Sequence, residues 1–352
     1  MSRLSEIVQS VGPLGLYQLA RLVCRNSPRI LMYHRFSEYP QQGLTSAGAF
    51  EAQIAHIKRH YEPMTLRDLT RSLFENGRIP PHAVVVTIDD GYRDFYQVAW
   101  PILKRHKVPA TLFAATGFID RRLWLWPDKV SWLLDNTQSI RTEGIACGPV
   151  FLEAGPIDSR RKEQYWHSLI GFFLSVSDEE KHQYIDALAD QLGLELPEQA
   201  PKAYEACSWD ELIEMERDGL EVGGHTVTHP SLGRVTDEQA EEELKGCFDA
   251  LTQHLGQNNR SFCFPNGTPH DFSARLMGKV EMAGFVNAVV AFHDREGVNH
   301  RYALRRHGCG ESMFQFHKAV TGLEFLGDRL RSRSLTSSAA ANAADRSLEA
   351  QL

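Results

Sequence analysis

Short apolar runs alternate with longer amphipathic stretches from Arg29 onward. Most of these runs are largely apolar, and several end in a polar residue: RILMYH (29–34), VVVTID (84–89), ATLFAA (110–115), LEVGGH (220–225), SFCFP (261–265), VNAVVA (286–291) and YALRRH (302–307). The spacing of apolar residues between these runs predicts helices over 93–106, 208–218 and 236–255. Wholly apolar strands that alternate with helices indicate an α/β fold with a parallel sheet buried on both faces.

Hydroxyl residues placed three positions before an acid or amide mark the starts of helices. Thr65-x-x-Asp68 resembles a helix N-cap, and Ser208-x-x-Glu211 and Thr236-x-x-Gln239 have the spacing of a capping box. We expect helices to begin at these points, the second of them ending near Gly219.

The alternation of strands and helices divides the chain. Residues 1–28 are predicted to be an N-terminal amphipathic helical segment, and 29–326 the main domain. Within it, the pattern breaks over about 121–205, which we interpret as a mostly helical insertion. Residues 327–352 are rich in Ser and Ala and carry few large apolar groups, so we expect a disordered tail.

Charge and composition exclude several classes of protein. The net charge of −7 argues against a broad basic face for nucleic acid, so no nucleic-acid partner is expected. The sequence shows neither the roughly 18 apolar residues of a membrane span nor an apolar signal peptide. Six scattered cysteines without C-x-x-C spacing suit a reducing compartment. We therefore expect a cytoplasmic protein.

The N-terminal segment departs from this acidic balance. Residues 1–36 carry five arginines and one glutamate. Such a segment suits peripheral contact with the inner membrane, although a helix packed on the main domain is the plainer interpretation.

A pair of carboxylates follows the second predicted strand. Asp89 and Asp90 come directly after VVVTI and before Gly91. Because side chains alternate along a strand, one carboxylate can bind a cation while the other faces a substrate water. Asp-Gly is also common in turns, but enzymes with a barrel fold keep their active sites at the carboxyl ends of strands.

Two histidines follow the fourth predicted strand at a spacing of four. In GGHTVTHP, a helical turn after the strand would place His225 and His229 on one face, and the preceding glycines allow close approach of another backbone. Fifteen histidines make a chance match frequent, so surface or core histidines remain an alternative. With Asp90, the pair completes a two-His, one-carboxylate set suited to Zn²⁺, Fe²⁺, Co²⁺ or Mn²⁺.

Here the sequence resembles a known family. TIDDGY and HTVTHP resemble the first two motifs of the polysaccharide deacetylases with a NodB homology domain (carbohydrate esterase family 4). ILMYHR resembles the first strand of their exopolysaccharide-biosynthesis branch, and Phe264-Pro265-Asn266-Gly267 stands at the third motif. The resemblance covers roughly 29–120 and 206–310.

The resemblance implies a distorted (β/α) barrel of seven or eight units that hydrolyses an N-acetyl group on an amino sugar. It makes Asp89 the general base and makes Asp90, His225 and His229 the ligands of a divalent metal. Zinc is the first expectation, with cobalt, manganese, iron or nickel as alternatives. Pro265 and Asn266 would form the oxyanion site, where backbone N–H groups near Pro265, such as that of Asn266, would face the developing oxyanion.

Three departures from the family pattern affect individual roles. Asn266 replaces the usual tyrosine, which a backbone N–H contribution tolerates. No arginine precedes Pro265 at the usual place, so Arg306 is the candidate that orients the base, with a surface or salt-bridged arginine as the alternative. The usual C-terminal general acid is missing. His34, at the end of the first strand, is the favoured substitute.

Other candidates have plainer interpretations. His293 and His307 are the alternatives to His34 as the acid. Trp124, Trp126 and Asp128 at the start of the insertion could form a sugar platform, but core packing is the favoured interpretation. The run Glu241–Glu243 is expected on a solvated helix face.

The sequence thus predicts a metal-dependent deacetylase acting on an N-acetylhexosamine polysaccharide or lipid-linked sugar, in exopolysaccharide metabolism. One alternative is the hydrolysis of another non-peptide amide on the same fold. The other is a non-catalytic glycan-binding homologue. The presence of Asp89 beside the three ligands argues against the latter, since a binder has no need of a base.

Overall fold

A computed structural model describes residues 15–141, 143–256 and 259–327. Its strands are β1 (Arg29–Tyr33), β2 (Phe36–Ser37), β3 (Thr45–Ser46), β4 (Glu62–Pro63), β5 (Ala83–Ile88), β6 (Thr111–Ala114), β7 (Ser139–Ile140), β8 (Ile145–Cys147), β9 (Val150–Leu152), β10 (Gly155–Pro156), β11 (Glu221–Gly224), β12 (Ser261–Cys263), β13 (Asn287–Val290), β14 (Leu304–Arg305) and β15 (His307–Gly308).

The helices lie between these strands. They are α1 (Leu16–Val23), α2 (Ala47–His60), α3 (Leu66–Phe74), α4 (Trp100–His106), α5 (Thr116–Ile119), α6 (Trp126–Asp135), α7 (Ser159–Phe173), α8 (Asp178–Leu192), α9 (Trp209–Arg217), α10 (Asp237–Leu255), α11 (Ala274–Met282) and α12 (Met313–Thr321). A π-helical turn, Phe95–Ala99, precedes α4, so the predicted helix over 93–106 is not regular throughout.

The predicted strands and helix starts agree with the structure. Each of the seven apolar runs contains a strand, the last of them divided into β14 and β15. Thr65 caps α3, and both capping boxes form with reciprocal hydrogen bonds, at Ser208 for α9 and at Thr236 for α10. These starts were readable because a cap uses only residues three positions apart.

The chain divides into two compact units. The first comprises Met1–Ile88, Val98–Thr111 and Asn287–Leu352. In it β1 lies parallel between β5 and β15, with Leu31 opposite both Val86 and His307. β4 is parallel to β5, and β13 to β14. The parallel pairing predicted from apolar strands is present.

The second unit comprises Asp89–Gln97 and Leu112–Val286. In it β11 lies between β6 and β12, and Gly224 is opposite Phe262 in the parallel pair β11–β12. A side chain at Gly223 would begin 2.6 Å from the carbonyl oxygen of Ser261. This glycine therefore permits the close approach of a neighbouring backbone that the sequence suggested.

Residues 121–205, within the second unit, contain α6, α7 and α8 and two antiparallel ribbons, β7–β10 and β8–β9. The sequence did not predict the ribbons, since strands of two or three residues are too short to show an alternating pattern. The buried side chains of this region form an apolar core of their own: Trp126, Val130, Leu133, Leu134, Ile140, Ile145, Cys147, Leu152, Ile157, Leu169, Phe173, Ile185, Leu188 and Ala189.

The aromatic residues at the start of the insertion are packed inside it. Trp124 and Trp126 are both buried, and Trp126 meets the ring of Phe173 edge to face. Asp128 is also buried and accepts a hydrogen bond from the Tyr92 hydroxyl at 2.7 Å. With their faces covered, these indoles serve the core rather than a sugar platform.

The N-terminal helix α1 packs on the first unit through one side. Ala20 and Cys24 are buried, and the ring of Tyr17 stacks on His317 at 4.7 Å. Residues 1–14 of the predicted N-terminal segment and 328–352 of the predicted tail lie outside the described residues. Within the described part of the chain, no helix has the length and apolar character needed to cross a bilayer.

Candidate active site

The acidic pair occupies the turn that leaves β5. Both carboxylates are buried, and the loop is fixed by backbone bonds from Gly91 N–H to Asp89 O (3.0 Å) and from Ala115 N–H to Asp90 O (3.1 Å). Asp90 has a φ of 76°, in the left-handed region that few non-glycine residues adopt. The turn therefore holds Asp90 in a conformation that the surrounding structure must stabilise.

The histidine pair occupies the loop that leaves β11. The His225 N–H donates to Ala114 O at 3.0 Å, which ties the loop to the end of β6. Thr226 and His229 have φ values of 67° and 62°. The His229 N–H donates to the hydroxyl oxygen of Thr226 at 3.0 Å, which closes the turn between the histidines.

Asp90, His225 and His229 converge on one point in the second unit. Asp90 Oδ1 lies 3.4 Å from His225 Nε2 and 3.3 Å from His229 Nε2. A tetrahedral ion with ligands at about 2.1 Å keeps neighbouring ligand atoms about 3.4 Å apart. The three groups therefore fit a shared divalent cation, and they form one of the clusters able to hold a metal ion.

The orientation of the two rings also suits a shared ligand. Their planes are inclined by 69°, with centroids 4.8 Å apart, so both Nε2 lone pairs can point at one position. His225 Nδ1 donates to the carbonyl oxygen of Cys263 at 2.7 Å, which leaves Nε2 as the coordinating nitrogen. The sequence-based grouping of these residues is thus realised in space.

The two imidazoles of the cluster have pKa values shifted in opposite directions. Burial is the largest influence on the pKa of both imidazoles and lowers it. At His229 burial outweighs the attraction of Asp90, so the pKa is below that of an ordinary histidine. Cys263, Asp90 and Asp89 together outweigh burial at His225, whose pKa lies well above the ordinary value.

Asp89 lies beside the cluster with a thiol for a neighbour. The Sγ of Cys263 is 3.6 Å from Asp89 Oδ2, and both side chains are buried. Cys263 thus contacts Asp89 through its thiol and His225 through its carbonyl. The sequence showed only that an arginine was missing before Pro265. The structure places a thiol against the carboxylate of Asp89.

The third motif forms the loop after β12. Pro265 is buried, Asn266 has a φ of 59°, and the Gly267 N–H donates to Pro265 O at 2.6 Å. This tight turn begins two residues after Cys263. The predicted contribution of Pro265 and Asn266 to an oxyanion site stays a prediction.

The predicted acid and the predicted orienting arginine lie in the first unit. His34 follows β1 directly and is exposed. Arg306 is fully buried, donating from Nε to Val290 O and from Nη1 to Thr87 Oγ1, both at 3.1 Å. The alternative of a surface arginine is therefore wrong for Arg306. The catalytic roles assigned to the two residues stay predictions.

His293 and His307, the alternative acids, belong to a different cluster in the first unit. Glu324 lies 2.9 Å from His307 Nδ1 and 3.6 Å from His293 Nε2. The two rings are stacked, at 18° and with centroids 4.9 Å apart, and together with Glu324 they form another of the clusters close enough to hold a metal ion. Lys318 Nζ, 3.3 Å from Glu324, already supplies a positive charge. This geometry suits an ion-pair network better than a metal site.

Glu243 is the residue that the sequence interpretation missed. Its carboxylate accepts bonds from the N–H groups of Val227 and Thr228, inside the loop between the two histidines. The expectation of a solvated Glu241–Glu243 face is therefore wrong for Glu243. A signal was present: Glu243 is three residues after Ala240 and four before Cys247, both on the buried side of α10.

Comparisons with known proteins identify the family and the fold of the chain. The family model described as "Polysaccharide deacetylase" matches residues 76–148 and 169–286, more than half of the chain. The deacetylase PplD of Streptococcus pyogenes, solved in complex with acetate, superposes with a TM-score of 0.54 at 18% identity, over 83% of this chain and 96% of that one. The likeness is one of fold, and it confirms the predicted α/β barrel class.

Curated relatives match over shorter lengths. YxkH of Bacillus subtilis is 28% identical over 117 residues, 33% of this chain and 42% of that protein. Poly-beta-1,6-N-acetyl-D-glucosamine N-deacetylase of Staphylococcus aureus is 36% identical over 75 residues, 21% of this chain and 26% of the relative. The chain thus spans less than half of the length of these relatives. The extent of the family match nevertheless decides the classification: this chain belongs to the polysaccharide deacetylase family.

Proposed function

We propose that this chain is a metal-dependent hydrolase that removes acetyl groups from N-acetylhexosamine units of a polysaccharide. The observation that carries the proposal is the convergence of Asp90, His225 and His229 on one point, with the carboxylate of Asp89 beside it. Three ligands satisfy a cation and leave positions open, and a fourth, separate carboxylate is what a hydrolytic reaction requires as a base.

Four side chains of the cluster have proposed roles as metal ligands and as the general base. Asp90, His225 and His229 would hold the cation, for which zinc is proposed first, with cobalt, manganese, iron or nickel as alternatives. When bound, a divalent cation lowers the pKa of water and polarises the amide carbonyl. Asp89 takes the proton of the attacking water. The Cys263 thiol, which contacts Asp89 Oδ2, orients the carboxylate of Asp89.

We propose the oxyanion, general-acid and orienting roles for the residues that the sequence analysis assigned to them. The backbone N–H of Asn266 donates to the oxyanion that forms as the carbonyl carbon becomes tetrahedral. His34 gives its proton to the leaving nitrogen as the C–N bond breaks, and acetate and a free amine result. Arg306 is proposed to orient the base, and its rigid burial suits such a supporting role.

The names of the related proteins support the substrate class. The S. aureus relative is a deacetylase of poly-β-1,6-N-acetyl-D-glucosamine, and PplD was solved with acetate, the product of deacetylation. An N-acetylglucosamine polymer made in exopolysaccharide metabolism is the substrate that these matches favour. Hydrolysis of another amide, or glycan binding without catalysis, are the alternatives that an assay separates.

The test is acetate release by the full chain from β-1,6- and β-1,4-linked N-acetylglucosamine oligomers and from lipid-linked N-acetyl sugars. Protein treated with a chelator is compared with the same protein after addition of Zn²⁺ or Co²⁺. We expect acetate release that falls by about 100-fold or more without metal, since the cation provides several kcal/mol of transition-state stabilisation. Glycan binding with no acetate under any condition would favour the non-catalytic alternative.

We further propose that the substrate is a lipid-linked sugar at the cytoplasmic face of the inner membrane. Helix α1 supports it, because Leu19, Leu22 and Val23 are each more than half exposed. No acidic residue occurs from 16 to 35, whereas four arginines do. An apolar face with basic neighbours suits an anionic bilayer surface.

Cosedimentation with vesicles of phosphatidylglycerol and phosphatidylcholine at low salt tests this contact. We expect the full chain to sediment with the vesicles, and the double variant Leu19→Asp, Leu22→Asp to remain in the supernatant. Met282→Asp is the matched control, because Met282 is 76% exposed but lies on α11 of the second unit. A wild-type chain that stays in the supernatant would refute the membrane proposal alone.

A further inference from the structure

Glu243 projects from the second turn of α10 into the loop that carries the two histidines. Its Oε2 accepts the N–H groups of Val227 at 2.7 Å and Thr228 at 2.9 Å. Its Oε1 accepts the hydroxyl of Thr228 at 2.7 Å. Both carboxylate oxygens are thus engaged by residues that lie between His225 and His229.

This loop has an unusual backbone that needs such support. Thr226 is β-branched and yet has a φ of 67°, and His229 follows at 62°. Conformations of this kind persist only where neighbouring groups hold them. The loop is also tied at its start, where Thr116 and Gly117 donate their N–H groups to the carbonyl oxygens of Thr226 and Val227. Glu243 accepts the N–H groups of the same loop, those of Val227 and Thr228.

Within the described residues, the two other glutamates of the run have no comparable bonds to the histidine loop. Glu241 is exposed and pairs with Lys279 of α11, and Glu242 is exposed. An ionised carboxylate that accepts several N–H and O–H donors forms stronger, charge-assisted bonds than a neutral acceptor does. Glu243 therefore differs from Glu241 and Glu242, because its carboxylate is bonded to a loop and not simply exposed to solvent.

We propose that Glu243 is a positioning residue that fixes the loop between His225 and His229 so that both imidazoles reach the same cation. The proposal rests on the proposed metal site and goes further, because it assigns metal affinity to a residue that touches neither the cation nor the substrate. Groups that orient metal ligands affect affinity by about 10- to 100-fold.

The test uses the full chain and Co²⁺ alone, whose visible absorption reports the geometry of its ligands. Glu243→Gln keeps the size of the side chain but removes its negative charge and one of its two acceptor oxygens, so the bonds that hold the loop are no longer charge-assisted. We expect the Kd for Co²⁺ to rise about 10- to 100-fold and the absorption bands to shift. Glu242→Gln, one position away, is the control and should stay within about twofold.

A second variant guards against a failure of Glu243→Gln to fold. Thr228→Ala removes only the hydroxyl bond at an exposed side chain and leaves both backbone bonds intact, so a smaller loss of affinity in the same direction is expected. Wild-type affinity and an unchanged Co²⁺ spectrum in Glu243→Gln, or in Thr228→Ala if the first variant does not fold, would overturn the proposal.

The outcomes also separate this inference from the proposed function. A wild-type chain that binds Co²⁺ but releases no acetate contradicts the deacetylase function and leaves the positioning role intact. A wild-type chain that binds no Co²⁺ contradicts the metal site itself, and the positioning role fails with it.

Discussion

Asp89→Asn is expected to reduce acetate release by about 10²- to 10⁴-fold while metal binding stays near the wild-type value. An amide of the same shape cannot accept the proton of the attacking water, and general base catalysis contributes rate factors of this size. Metal binding should survive because Asp90, His225 and His229 supply the converging atoms. The measurements are acetate release under saturating glycan and the metal content of the purified variant.

Asp90→Asn is the matched control, one residue away. It alters a proposed ligand and should therefore lower metal content as well as turnover, which Asp89→Asn should not. Wild-type turnover in Asp89→Asn would mean that a different group accepts the proton, and equal loss of metal in both variants would mean that the two carboxylates share one role.

His225→Ala is expected to lose both the metal and the activity. It removes one converging nitrogen and the link between that ring and the carbonyl of Cys263. Loss of a ligand should weaken metal binding by at least the 100-fold that changes in outer groups can cause. A competition titration against a chelator measures the affinity.

Thermal unfolding gives a second measurement that does not depend on catalysis. A ligand at 100 times its Kd stabilises a folded protein by about 2.7 kcal/mol, so added metal should raise the Tm of the wild type but not of His225→Ala. His293→Ala, which alters the parallel histidine pair beside Glu324, is the control and should keep the metal response. Full metal binding by His225→Ala would contradict the proposed ligand set.

Much of the fold follows from short-range patterns in the sequence. A buried parallel strand such as β5 is a run of β-branched residues, and the capping boxes at Ser208 and Thr236 depend on residues three apart. The ribbon β8–β9 lacked such a signal, because three-residue strands show no period. Its formation depends on the turn at Gly148, with a φ of 56°, and on packing within the insertion.

The proposed metal ligands could be predicted from the sequence, but the contacts that hold them in place could not. Asp90, His225 and His229 could be grouped because each follows a strand, and parallel strands end at a common edge. The position of Glu243 beside the buried side of α10 separated it from its neighbours, but its partners could not be predicted, since they are backbone N–H groups 15 and 16 residues away. The thiol of Cys263 beside Asp89 was equally hidden, because only the strand arrangement brings them together.

The residue at position 226 is a compromise between two demands on one side chain. Glycine would adopt a φ of 67° with far less steric conflict, but it has no hydroxyl to receive the His229 N–H. Threonine provides that oxygen, but its side chain strains the backbone at this φ. Attempts to make this protein more heat-resistant by relaxing its loops should therefore leave this turn untouched, because the residue that strains the backbone also holds His229, a proposed metal ligand, in place.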